Sequence, residues 1–317
     1  MGAKGKAMKD INSTFDPQLA DLDRDDWYEA VEELAEEDGY FEPLGNKFSA
    51  IFHEAGPRLI VTFEDFQDIQ ARANREPRGF DMVRRNGWSH LCILSEGGRW
   101  YRDQRLYRYF DRLADDGFFE DFDQVLFYGA GQGSYAAAAY SVTAPGSHVL
   151  VVRPVATLDP AQAGWDGRHR GDLRLCFKDR YGYAPDMLEA AAQAWIVFDP
   201  REREDAMHAA LYRAPNVMAL RAFGQGADVV PTLDKLGILN AMIEAAMEGS
   251  FDLTSFGRLY RAPQRQTDYL RRLLKRLESG GRLSLAARLC RGVLKTQKRP
   301  RFAKALDRIE AELSKKS

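Results

Sequence analysis

Val125-Leu126-Phe127-Tyr128-Gly129-Ala130-Gly131-Gln132-Gly133-Ser134-Tyr135-Ala136-Ala137-Ala138-Ala139-Tyr140 reads as an apolar strand, a glycine turn and a helix of small residues. A strand that enters a helix through glycine is the joint of a sheet with helices laid close on it. The alternation continues outward from that joint. Upstream, residues 25–38 have helical spacing, with Asp25 or Asp26 as cap, Trp27, Val31 and Leu34 on one face, and Gly39 as the stop. Residues 48–53 and 58–63 are β-rich runs separated by Glu54-Ala55-Gly56-Pro57, the pattern of a hairpin. Residues 90–94 read as a buried strand, and residues 105–118 as a helix with Leu106, Tyr109, Phe110 and Leu113 inward. Downstream, strands over 148–152, 195–198 and 217–222 alternate with helices over 186–193, 204–212 and 233–247. Near-continuous apolar strands alternating with helices predict an α/β fold: a mostly parallel sheet covered on both faces.

Past Gly249 the pattern changes. Tyr269, Leu270, Leu273, Leu274 and Leu277 form an amphipathic face closed by Gly280-Gly281. Leu285, Leu289, Val293 and Leu294 form a second, and Phe302, Leu306, Ile309 and Leu313 a third. The expected organisation is a polar tail and acidic helix over 1–45, an α/β core over 46–250 and a helical module over 251–317. The formal net charge of −2 conceals a division. Residues 254–317 carry 18 Lys and Arg against 5 Asp and Glu, a net of +13, which leaves −15 for the rest. The basic helices are therefore expected to bury their leucines on the core and to present positive charge to an acidic surface, in this chain or a partner, or through self-association. Nucleic acid is disfavoured, because no aromatic interleaving or helix-turn-helix pattern accompanies the charge.

No apolar run approaches the roughly 18 residues of a membrane helix. Residues 1–14 have lysines but no hydrophobic stretch, so no secretory signal is expected. Cys92, Cys176 and Cys290 lie far apart and read as reduced thiols, which implies a cytoplasmic setting. No pair of them has metal-ligand spacing, and neither metal nor cofactor is expected.

The order of elements over residues 48–249 resembles the α/β-hydrolase family. In that family the nucleophile sits at the strained tip of a G-x-S-x-G elbow, followed in chain order by an acid and a histidine. Here the frame falls on Gly129-Ala130-Gly131-Gln132-Gly133, so glycine occupies the serine place and Ser134 comes three positions late. The resemblance implies an acid after a late strand, where Asp199 or Asp205 can stand. It implies a histidine in the loop Gly224-Gln225-Gly226-Ala227-Asp228, which has none; Ala227 and Asp228 mark that place. The whole chain also resembles a group of bacterial proteins that share its Gly-Trp-Ser-His, Asp-Asp-Gly-Phe-Phe-Glu-Asp-Phe and Arg-Tyr-Gly-Tyr-Ala-Pro-Asp-Met segments. The name phosphoadenosine phosphosulfate reductase is sometimes attached to that group. Such a reductase needs a nucleophilic cysteine near the C-terminus and a Ser-Gly-Gly phosphate loop. Cys290 instead lies inside an amphipathic helix.

Other candidates have bland alternatives. Gly129, Gly131 and Gly133 approach a G-x-G-x-x-G phosphate loop, but the sixth position is Ser134 and no acid ends the next strand. A tight turn that lets the alanine helix approach the sheet explains them better. Asp205 and His208 share a helical face and can form an acid–base pair or a surface hydrogen bond. His90 can cap or pack; Trp165, Asp166, Arg168, His169 and Arg170 suit a sugar or phosphate, or a solvated loop. Three functions stay open: a binding or accessory protein without the hydrolase chemistry, an enzyme using Asp199, Asp205 and His208, or a nucleotide-binding reductase-like enzyme.

Overall fold

The computed structural model describes residues 15–97, 100–172, 174–261 and 267–316. By contacts the chain divides into two compact units, Met1–Phe256 and Gly257–Ser317. The larger unit is built on one sheet of eight strands. It opens with α1 (Arg24–Asp38), whose Asp23 side chain caps the backbone N–H groups of Asp25 and Asp26. Strands β1 (Gly39–Pro43), β2 (Phe48–His53) and β3 (Arg58–Asp65) follow, then α2 (Phe66–Gln70), α3 (Arg78–Asn86) and β4 (Ser89–Ser95). Next come α4 (Gln104–Asp115), β5 (Gln124–Ala130), α5 (Gln132–Tyr140), β6 (His148–Val152), and the short α6 (Pro160–Ala163) and α7 (Ala184–Met187). Strand β7 (Gln193–Phe198), α8 (Arg203–Ala209), β8 (Val217–Arg221), α9 (Val229–Lys235) and α10 (Ile238–Met247) complete the alternation.

The strand order is β1-β2-β4-β3-β5-β6-β7-β8. Strand β2 is antiparallel to β1 and β4, and every pairing from β4 to β8 is parallel. Alternate residues feed opposite faces. Leu91 and Ile93 of β4 enter a core with Leu106, Phe110 and Tyr140, while Cys92 and Leu94 enter another with Trp27, Val31 and Phe80. Burial on both faces is why β6 and β7 are apolar after their first residue, while β3 and β4 also carry buried polar residues such as Thr62, Glu64 and His90. The expected mostly parallel sheet with helices on both faces is the observed architecture, and it is α/β-hydrolase-like.

Several local expectations differ from the structure: Asp23 and not Asp25 or Asp26 caps α1, and the helix expected over 186–193 is only the end of α7 and a 3-10 turn over Leu188–Ala190, with β7 already begun at Gln193. Residues 48–53 and 58–63 do not form a hairpin, because β4 lies between β2 and β3 and pairs with both. The helix expected over 233–247 is two, α9 and α10, parted at Gly237, whose φ of 65° is the left-handed conformation that suits glycine. Gly39 does not only end α1; it begins the edge strand β1.

The joint between β5 and α5 is drawn very tight. Ala136, Ala137, Ala138 and Ala139 are fully buried, and their small size lets α5 lie directly on the sheet.

The smaller unit holds α12 (Thr267–Ser279), α13 (Leu283–Thr296) and α14 (Pro300–Lys316), while α11 (Leu253–Arg261) straddles the division. Here the expectation that the leucine faces must be buried on the α/β core is corrected. The faces meet one another: Leu270, Ala286, Cys290, Val293, Phe302 and Ile309 make a core of their own, with Leu274, Leu277 and Leu289 against it. No helix among the described residues is long and apolar enough to cross a membrane.

Candidate functional site

In an open α/β sheet, ligands and chemistry collect beyond the carboxyl ends of the parallel strands. The glycine turn stands there. Gly131 has φ 57° and ψ −119°, a conformation that strains any side-chain-bearing residue. A Cβ built on it meets nothing within 4 Å, so the tip of the turn faces open space. Gln132, the next residue, uses its side-chain oxygen to accept from the Trp100 backbone N–H at 3.3 Å.

Ser134 lies beneath the turn, fully buried. Its hydroxyl is 2.6 Å from the Gly131 carbonyl and 3.1 Å from the Arg153 carbonyl, and it accepts from the Val155 N–H at 3.0 Å. One hydroxyl thus ties the turn to the chain leaving β6. No imidazole stands beside it among those partners.

Asp199 directly follows β7 and is 1% exposed. One carboxylate oxygen accepts from the Arg201 N–H at 3.0 Å and the other from the Gly226 N–H at 2.8 Å. Gly226 belongs to the 224–228 loop, in which Ala227 and Asp228 are exposed. The carboxylate therefore reaches the place where the family resemblance puts a histidine, and it holds that loop by its backbone.

A second cluster lies at the ends of β6 and on α8. Asp205 and His208 are both buried, and they are not each other's partners. His208 Nδ1 accepts from the Ala156 N–H at 3.2 Å, which leaves the proton on Nε2, 3.0 Å from Asp166 Oδ2. Arg168 binds Asp166 through Nε and Nη2 and reaches Asp205 with Nη1 at 2.5 Å. Arg153, itself at φ 56°, brings its Nε within 3.6 Å of Asp205. Burial favours the neutral form of Asp166. The Arg168 guanidinium and backbone N–H, then His208, outweigh it and hold the carboxyl well below the usual range. Burial lowers His208, with Asp166 opposing, so the ring is neutral at pH 7. Both ring nitrogens of His208 are hydrogen-bonded, so the ring has no lone pair free to take a proton. Trp165 packs on His208 with ring centroids 4.6 Å apart, and His169 packs edge-on against Trp100 at 4.7 Å. The stretch that contains Trp165, Arg168 and His169 is thus a packed and paired segment more than a solvated loop.

His90 sits apart, near the start of β4 and away from the glycine turn. Its Nε2 is 2.8 Å from Thr62 Oγ1, which donates to Glu64 Oε1 at 2.8 Å. Arg72 Nη1 lies 2.5 Å from Glu64 Oε2, and the Arg78 N–H donates to Oε1. Burial pushes Glu64 up, but the Arg72 charge, with Arg78 and the Thr62 hydrogen bond, more than offsets it and lowers it overall. Cys92 completes a cluster in which Glu64, His90 and Cys92 offer donor atoms within 4.8 Å of one another. The chemistry does not suit a cation. The Arg72 guanidinium already pairs with the carboxylate, the Arg78 backbone N–H and the Thr62 hydroxyl occupy its other oxygen, and burial keeps the Cys92 thiol protonated.

Burial holds His90 near pKa 4, against 6.5 in the unfolded chain. A histidine with a depressed folded value contributes stability above its unfolded pKa, and that stability is lost as pH falls toward the folded one. Unfolding free energy should therefore fall between pH 6.5 and 4, by up to about 3 kcal/mol from this ring. His208 adds in the same direction. In His90→Gln, whose amide nitrogen can replace Nε2 at Thr62, the decline should be shallower. Urea titrations at several pH values measure it, and equal slopes for both proteins would refute the assignment.

Sequence reasoning missed Thr62 and Glu64, and it grouped Asp166 with Trp165 and Arg168 without its partner His208. Only the Asp-x-Arg spacing of Asp166 and Arg168 was available as a signal, since the other partners come from distant strands.

No protein-family model matches the chain, and no curated protein matches it, so neither comparison lends support to the reductase name. Solved structures do match. One is a glycosylation-associated protein complex from Streptococcus agalactiae, with 15% identity over 67% of this chain and TM-score 0.44; the match spans 46% of that chain, less than half its length. Another is carboxyl esterase 2 from Tuber melanosporum, at 12% identity, covering 66% of this chain and 82% of that one, TM-score 0.42. A third is Est1E from Butyrivibrio proteoclasticus, at 15% identity, 64% and 97% coverage, TM-score 0.40. These scores are low, and the assignment of architecture rests on the sheet itself: eight strands, β2 alone running against its neighbours within the series, and a strained glycine turn between the central β5 and its helix give this chain an α/β-hydrolase-like fold.

Proposed function

We propose that this chain is a non-catalytic protein of α/β-hydrolase-like fold that acts as a binding or accessory component. The observation that carries the proposal is Asp199. Both its oxygens hold backbone N–H groups, those of Arg201 and Gly226, in the place where an acid would orient a histidine. Glycine at position 131 leaves the tip of the turn without a nucleophile, and Ser134 is occupied as a structural tie. Serine needs an adjacent base to act as a nucleophile. His208, the nearest alternative by sequence, is neutral and hydrogen-bonded at both nitrogens, which disfavours an acid–base role with Asp205 or Asp199. A cytoplasmic setting, expected from the free thiols, belongs to the same proposal; Cys92 and Cys290 are buried and Cys176 is exposed.

Serine-directed fluorophosphonate probes should leave the protein unlabelled, and activated esters should hydrolyse at the rate of buffer alone. Gly131→Ser should fold, since its Cβ enters open space, and should remain inactive. Stoichiometric labelling of Ser134, or of Ser89, whose hydroxyl ties the Ala55-Gly56 turn, would overturn the proposal. Binding of an adenine nucleotide at micromolar affinity, with phosphates at residues 131–134, would replace it with the nucleotide-binding alternative.

A further inference from the structure

The helices of the smaller unit bury most of their apolar side chains on one another, but one seam stays open. A groove of about 530 Å³ runs between α12 and α13. Leu270, Leu273 and Leu277 form one wall, and Leu285, Leu289 and Val293 the other. Leu285 is 47% exposed, high for a leucine, and it stands on the same groove as the half-buried Leu273, Leu277 and Leu289. A continuous apolar surface of this kind on a soluble unit marks a place where something docks.

Gly292 gives an independent sign. It lies inside α13 and lines the groove. Glycine inside a helix costs about 1 kcal/mol relative to alanine. Close packing within the fold can justify that cost, but a Cβ added at Gly292 meets nothing within 4 Å. Nothing in the unit's own packing requires the missing side chain. A partner that presses against the helix at that point does require it.

The groove also defines its occupant. The lining residues from Leu285 to Thr296 cover about 16 Å of helix axis, roughly three turns. A trough of that length between two helices takes a third helix, seated by apolar residues at spacings of three and four. Helices α12 and α13 carry seven Lys and Arg against two Asp and Glu, with Arg288 in the groove itself. The unit as a whole has 18 basic against 5 acidic residues, so most of its cations have no acidic counterpart within it. We propose that this groove is a docking site for an amphipathic helix of a partner protein, apolar on its seated face and acidic on its flanks. The apolar face supplies the affinity, and the charges supply orientation and on-rate.

The full-length protein tests this with a fluorescent synthetic helix of about 18 residues, leucine on one face and glutamate elsewhere. A second peptide carries lysine in place of glutamate, and a third probe is an RNA oligonucleotide. The glutamate peptide should bind at least about tenfold more tightly than the lysine peptide. Gly292→Leu, which adds a side chain to the groove lining, should weaken it by a similar factor without lowering the melting temperature. Leu285→Glu, at an exposed position, should do the same and guards against a folding defect in the first variant. The proposal fails if the glutamate peptide does not bind, if both peptides bind equally, or if neither variant changes the affinity. It also fails if RNA binds tightly and the glutamate peptide does not, which would assign the basic surface to nucleic acid.

Discussion

Arg168→Leu should destabilise the protein by about 3–5 kcal/mol, among the largest effects expected of any single substitution here. Arg168 stands between two carboxylates that are almost wholly out of water: the Asp166 side chain is 0% exposed and that of Asp205 is 2%. It gives Nε and Nη2 to the first and Nη1 to the second. Removing it leaves two buried anions with few counter-groups. Asp166 keeps the residue-168 backbone N–H and the His208 N–H, both neutral donors. Asp205 keeps Arg153, at 3.6 Å and with no hydrogen bond from Nε. A paired buried charge is worth little net, but an uncompensated one costs several kcal/mol. The pH dependence provides a check on cause. In the wild type, Arg168 holds Asp166 below its ordinary value, so the stability it contributes is present above the unfolded pKa and lost in acid. In the variant Asp166 is free to protonate in the folded state, so the deficit should shrink as pH falls from 7 toward 4. Asp205→Asn should partly rescue Arg168→Leu at pH 7. A deficit below about 1 kcal/mol, or one independent of pH, would show that the cluster is solvated and unimportant.

Such a cluster marks the limit of what one sequence discloses. The strands were legible because burial on both faces writes an apolar run into each of them, as in residues 148–152. The glycine turn was legible because Gly131 sits where only a residue without a side chain takes φ 57° freely. Pairing was not legible. The turn Glu54-Ala55-Gly56-Pro57 has hairpin composition, yet β4 arrives from 36 residues after His53 and takes the place between β2 and β3. The same register brings His90 and Thr62 together, through Ile60 opposite His90 and Thr62 opposite Cys92. No local pattern announces it. Helical spacing placed Asp205 and His208 on one face, and both are indeed buried. It could not show that Arg168 and Asp166, from the chain after β6, insert between them as partners. Asp199 was placed by analogy with a catalytic acid, and its hydrogen bonds to the 224–228 loop depend on backbone geometry alone. The leucines of residues 269–313 were read as faces awaiting the core because spacing gives the direction of an apolar stripe and not the identity of what covers it.

The second large effect concerns the turn itself. Gly133→Ala should cost about 3 kcal/mol or more, and Gly129→Ala a similar amount, while Gly131→Ala should cost only about 1–3 kcal/mol. The three glycines lie within five residues, yet their reasons differ. A Cβ on Gly129 falls on the Gly133 carbonyl and close to the Ser134 nitrogen, and a Cβ on Gly133 falls on the Phe63 carbonyl of β3. Those are backbone atoms of the central strands and of the helix packed on them, so no side chain can swing aside. The clash must be relieved by moving α5 away from β3 and β5, which opens the contacts of Ala136 to Ala139 against the sheet. At Gly131 the added methyl enters open space and meets only the intrinsic strain of φ 57°, ψ −119°. A hydrolase accepts that same strain at its nucleophile because the reaction uses the exposed position. Here the strained turn persists with no side chain on it, and its neighbours explain why. Relaxing it would move Ser134, whose hydroxyl binds the Gly131 carbonyl and the Val155 N–H and so joins β5 to the chain leaving β6. The turn is therefore retained by packing, independently of any chemistry at its tip. Denaturant titrations of the three alanine variants measure the order. If Gly133→Ala proved no more damaging than Gly131→Ala, close helix–sheet contact would not be what holds the turn, and an unassigned role for its tip would have to be considered first.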